Sequence, residues 1–78
     1  MLPEPRESSE SVVGDTVVCT DRYLCGNKAH LWRVRVAIEA DQCISGFVYT
    51  APTRYESRTL PSGAIELTVT TSISRTLE

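Results

Sequence analysis

The chain has 78 residues and a mass of 8.6 kDa, room for one domain and little more. Eight Lys and Arg stand against ten Asp and Glu, a formal charge of −2 with a pI near 5.3, which argues against a general polyanion binder. Apolar residues at 41% suffice for a core but are too scattered for a membrane span, and 23% charged residues with a small net charge argue against wholesale disorder.

Residues 1–11 are dominated by Pro, Glu and Ser. They cannot bury enough surface to offset their ordering entropy and read as a flexible acidic tail. Glu4, Glu7 and Glu10 against Arg6 give this tail the whole net charge, leaving residues 12–78 balanced at seven against seven. No basic stretch followed by an apolar one is present, so no signal peptide is read.

Residues 12–76 read as a single small β domain. Val12 to Thr20 is β-branched, with Gly14-Asp15 as a bulge or a start. Gly26-Asn27 is a two-residue hairpin signal. Leu31 to Glu39 then alternates, with Trp32, Val34, Val36 and Ile38 on one parity, the mark of a half-buried strand. Asp41-Gln42 is a weaker turn, followed by an extended segment, Cys43 to Ala51. Counted back from these turns, Val17 falls opposite Val36, Cys19 opposite Val34, and Phe47 opposite Val36. Residues 52–63 form a long loop in which Arg54 to Arg58 reads as a helical turn. Ile65 to Ile73 is the last strand, with Ile65, Leu67, Val69 and Ile73 sharing one face.

The expected fold is all-β: a four-stranded antiparallel meander behind a disordered N-terminal tail. Its apolar face is broader than a monomer usually exposes. With no helix in sight to cover it, the sheet must close as a small barrel or sandwich, or be completed by dimerisation. The same pattern puts Val36 at mid-sheet, so Val36→Asp should unfold the chain or break a dimer.

Chemistry-bearing residues are few. Cys19, Cys25, His30 and Cys43 could in principle supply a zinc set, but no two cysteines stand two to four apart, and the Gly26-Asn27 hairpin would separate Cys19 from Cys25. Cys25 with His30 lacks an orienting third group for nucleophilic work, and Glu39 with Asp41 reads as solvated turn carboxylates. No catalytic set and no cofactor is expected. Three thiols, an odd number, fit a reducing, cytoplasmic setting.

Arg22, Lys28, Arg33 and Arg35 form a run of four positive charges without an acid among them, and Arg54 and Arg58 add to it. With Leu31 and Val48 they make a mixed apolar and cationic surface of the kind interfaces favour. These eight residues are the expected partner-binding set, with Arg33 and Arg35 cross-strand from Thr20 and Val18.

The expected function is therefore a non-enzymatic module that binds another protein through a β-sheet surface and forms a homodimer. It has the general look of short accessory or regulatory proteins of bacterial or phage type, though no motif carries a family resemblance. The alternative is a small β-barrel that binds nucleic acid through the basic stripe, with Tyr23 and Tyr55 as the only aromatics left to stack on bases.

Overall fold

In the computed structural model, which describes residues 4–75, the elements in chain order are β1 (Glu7–Val13), β2 (Thr16–Cys25), α1 (Lys28–Ile44), β3 (Arg54–Thr59) and β4 (Ile65–Ser74). The strands form one antiparallel sheet in the order β1-β2-β4-β3. The sheet is four-stranded and antiparallel, as the sequence predicts. It is neither a meander nor closed: it stays open and takes its cover from one helix.

That helix is the main correction. Leu31–Glu39, expected as a strand, lies in the middle of α1. Gly26-Asn27 is not a hairpin turn but the start of the helix. Asn27 stays extended, at φ −159°, and its side-chain oxygen accepts from the His30 backbone N–H at 2.8 Å. The His30 Nδ1 in turn accepts from the N–H of Gly26, the residue before the cap, at 3.1 Å, so a second backbone donor at the helix start is satisfied by a side chain. Ala29, Leu31, Arg33, Arg35, Ala37, Glu39, Ala40 and Gln42 are good helix formers, and they outnumber the β-branched residues of the segment. At the other end Ser45 is the cap and Gly46 takes φ +76°, a left-handed stop that other residues resist. Replacing the first cap, Asn27→Ala, should cost about 1 kcal/mol in a urea melt without changing the fold.

In the helix the apolar residues read at 3.6-residue spacing. Val34 and Ile38 are buried and Leu31 packs beside them. They sit on Tyr23 and Cys25 of β2 and on Leu67 and Val69 of β4, which complete the core, with Tyr55 and Ile65 at its margin. Val17 pairs with Ile73 and Cys19 with Thr71, not with Val36 and Val34. Trp32, Val36 and Phe47, assigned to the core face by alternation, are exposed instead.

Two strands arise where none is expected. β1 begins at Glu7, inside the segment read as a tail; Met1, Leu2 and Pro3 lie outside the described residues. Every residue of β1 is exposed, so the strand rests on its ladder with β2 rather than on burial. Gly14 turns the hairpin at φ +61°, with Asp15 beside it, so this dipeptide is a turn between strands and not a bulge. β3 occupies the loop of residues 52–63 and replaces the expected helical turn at Arg54 to Arg58. Its outward charges, Arg54, Glu56 and Arg58, suit an edge strand by discouraging further pairing.

The segment Cys43–Ala51 is extended only in part. Cys43 and Ile44 end the helix, and Tyr49 bridges to Ile73, with Thr50 N–H donating to Ser72 O and Ser74 N–H to Val48 O. Ser45 Oγ lies 2.9 Å from the Tyr49 hydroxyl, and Gln42 and Thr53 bond side chain to side chain at 2.9 and 3.1 Å. These contacts tie the end of α1 to the sheet edge. Among the described residues no helix is long and apolar enough to cross a membrane.

Candidate interaction surface

The sheet has two unlike faces. The face under α1 is apolar. The open face carries Ser9, Ser11, Thr16, Thr20, Thr68, Thr70, Ser72 and Ser74 with three acids, three bases and the apolar Val13, Val18 and Leu24, because alternate residues of each strand point away from the helix. Four of its six charges are matched across strands: Arg22 lies 3.6 Å from Glu7, and Arg58 lies 2.9 Å from Glu66. No aromatic residue of the four strands takes this parity. Tyr23 is buried under the helix and Tyr55 is on the same side, so neither is placed to stack on bases.

The eight residues expected to bind a partner are therefore dispersed. Arg22, Arg54 and Arg58 are on the open face. Lys28 and Arg33 are exposed on the helix, and Val48 is exposed on the loop after it. Leu31 packs against the core. Arg35 is folded back: its guanidinium lies 4.2 Å from the Tyr55 ring centre, 5.5 Å from that of Trp32 and 3.9 Å from the Glu39 carboxylate. Arg33 and Arg35 are not cross-strand from Thr20 and Val18, because they are helical.

The thiol and imidazole groups do not converge. Cys25 is fully buried in the core rather than in a surface turn, Cys19 is half-buried in β2, and Cys43 is exposed near the end of the helix. His30 is engaged at the helix start. Among the described residues no group of three or more metal-ligating side chains comes together. Burial pushes the Cys25 thiol up, and burial with the charges of Glu10 and Asp21 pushes Cys19 up, the opposite of what a nucleophilic thiolate requires. Tyr23 and Tyr55 are raised as well, chiefly by burial, with the carboxylates of Asp21 and Asp41 adding at Tyr23 and that of Glu39 at Tyr55.

These four groups hold their protons longer in the folded chain than in the unfolded one, whose thiols and phenols titrate near 9.0 and 10.0. Their contribution to stability is complete below the unfolded values and is lost as pH rises through the folded ones. The urea midpoint is therefore expected to fall as pH rises above 9.0, with no loss from these groups at neutral pH.

A hollow of about 210 Å³ lies where the end of α1 leaves the sheet, among residues that include Asp21, Tyr23, Asp41, Gln42 and Tyr49. It falls below the size of ordinary ligand pockets.

Beyond Val12, Val13 and Leu24 of the sheet, the exposed large apolar residues lie on α1 and just after it. On α1 the residues turned away from the core are Ala29, Trp32, Val36, Ala40 and Cys43, at spacings of three and four that form one stripe along the helix. Trp32 is 60% exposed and Val36 49%, and Ile44, Phe47 and Val48 extend the apolar character past the end of the helix. Sequence reasoning missed this stripe because it counted Trp32 and Val36 among the core residues. Read at helical spacing, the same residues divide into an inner set, Leu31, Val34 and Ile38, and this outer one. No protein-family model matches the chain, and no characterised protein or solved structure matches it either.

Proposed function

We propose that this protein is a small non-enzymatic interaction module that binds protein through the outer face of α1. The observation that carries the reading is the outward stripe of Trp32 and Val36 on a helix whose other side already fills the core. A helix apolar on both sides is usually covered on both. Interfaces are enriched in Trp and in Arg, and Arg33 and Arg35 flank Trp32 here. The open sheet face is a poorer candidate, since four of its six charges are neutralised in pairs and its apolar residues, Val13, Val18 and Leu24, stand among hydroxyl and charged side chains. The nucleic-acid reading draws little support from this placement: the basic residues are divided between two faces, and Tyr23 and Tyr55 lie on the side of the sheet under the helix. Free thiols at Cys19, Cys25 and Cys43 suit a cytoplasmic setting.

The test is capture from host lysate with the full chain and with Trp32→Ala. A species retained by the parent and lost with the variant is expected. Retention that Trp32→Ala leaves unchanged contradicts the reading and moves contact to another surface.

A further inference from the structure

The charges of α1 run against its own dipole. Its first turn has Lys28 and no acid, and its last turn has no base. All the basic residues, Lys28, Arg33 and Arg35, fall in the first half, and both acids, Glu39 and Asp41, come later. Isolated helices favour the reverse arrangement, with anions near the N-terminus. Among the described residues the ion pair that these helix charges form is Arg35 with Glu39, at 3.9 Å.

The outer stripe has a second property. It is symmetric in position about Val36: Trp32 and Ala40 lie four residues to either side, and Ala29 and Cys43 seven. It is complementary in size, with one large residue on one side and small ones at the other three positions.

We propose that α1 packs antiparallel against α1 of a second copy of this chain, about a two-fold axis at Val36. This rests on the reading of the outer face as the interaction surface and names its occupant. In such a pair Trp32 enters the hole formed by Val36, Glu39, Ala40 and Cys43 of the second copy, four residues at the spacing that receives a knob from a facing helix. Ala40 and Cys43 leave room for the indole. The basic half of each helix runs beside the acidic half of the other, so the charge order that is unfavourable within one helix becomes favourable across two. A parallel pair would set like charges side by side and Trp32 against Trp32. The interface is isologous, as a two-fold dimer requires. A helix of 17 residues is only about 25 Å long, so the contact is small and the dimer is expected to be weak.

Sedimentation of the full chain over a concentration series up to roughly 0.5 mM should show reversible conversion to twice the monomer mass, at an affinity in the micromolar range. Val36→Asp sets two carboxylates at the axis and should weaken association at least tenfold while helical circular dichroism is retained. Ala29→Cys places a thiol opposite the native Cys43 of the second copy, and mild oxidation should give a covalent dimer. The same substitution in a Cys43→Ser background should give none. A chain that stays monomeric throughout, a dimer indifferent to Val36→Asp, or crosslinking that survives Cys43→Ser overturns the proposal. A monomer that still loses a lysate partner with Trp32→Ala refutes the self-pairing alone and leaves the interaction reading standing.

Discussion

Val34→Asp should unfold the protein, and Val36→Asp, two residues away, should not. Val34 is 4% exposed and sits between the helix and the sheet. A carboxylate there is buried among Tyr23, Cys25, Ile38, Leu67 and Val69, at an expected cost of at least ~3 kcal/mol. That is a large part of the stability of a domain this small. Val36 is 49% exposed on the opposite side of the same helix. Asp and Val have similar helix propensities, so in dilute solution, where self-association plays no part, Val36→Asp should change stability by less than ~1 kcal/mol. Urea melts followed by circular dichroism separate the two. This reverses the expectation that alternation alone produces, in which Val34 and Val36 share one buried face. An unfolded Val36→Asp beside a folded Val34→Asp would place the wrong side of the segment inward.

Leu67→Ala should be the most damaging of the simple truncations. Leu67 is 1% exposed on the central strand β4, and it pairs with Tyr23 on one side and Ser57 on the other. Removing three carbons there forfeits their transfer energy and leaves a void that the sheet and helix can only partly close, about 2–5 kcal/mol in all. Ile44→Ala is the matched control. Ile44 is 83% exposed, and its loss should alter the urea midpoint by no more than about 0.5 kcal/mol in equivalent stability. Equal effects at the two positions would mean that the core does not lie between α1 and β4.

The parts legible in the sequence were those where one physical signal acts alone. β4 has a single buried face, so Ile65, Leu67, Val69 and Ile73 alternate with polar residues and the strand is unambiguous. The first half of β2 follows the same rule, though Tyr23 and Cys25 at its end also belong to the core and lie beyond the stretch whose β-branched pattern marks the strand. α1 failed because it is apolar on two sides. Its inner stripe and outer stripe interleave, and from Trp32 to Ile38 the mixture imitates a period of two. The helix signals were present in Asn27 as a cap, with Ala29, Ala37 and Ala40, but Gly26-Asn27 also fits a hairpin. β1 and β3 gave no periodic signal because neither has a full buried face. β1 is exposed throughout, and β3 turns mainly Tyr55 inward. Edge strands of this kind exist through backbone pairing with a neighbour, which a linear pattern of side chains does not record.

The expected surface failed with the expected strand. Once Leu31 to Glu39 is helical, Arg33 and Arg35 no longer share a side, and the basic stripe is divided between the helix and the far face of the sheet. What was legible was the imbalance itself: more apolar surface than a single sheet can hide. The helix resolves part of it by covering β2 and β4, and carries the remainder outward on Trp32 and Val36.

Backbone chemical shifts of the full chain in solution decide the matter. Helical Cα and Cβ shifts from Lys28 to Ile44, together with cross-strand contacts linking Val17 to Ile73, are expected. Extended shifts over Leu31 to Glu39, with contacts linking Val17 to Val36, would contradict the helix and with it the surface on which the proposed function stands.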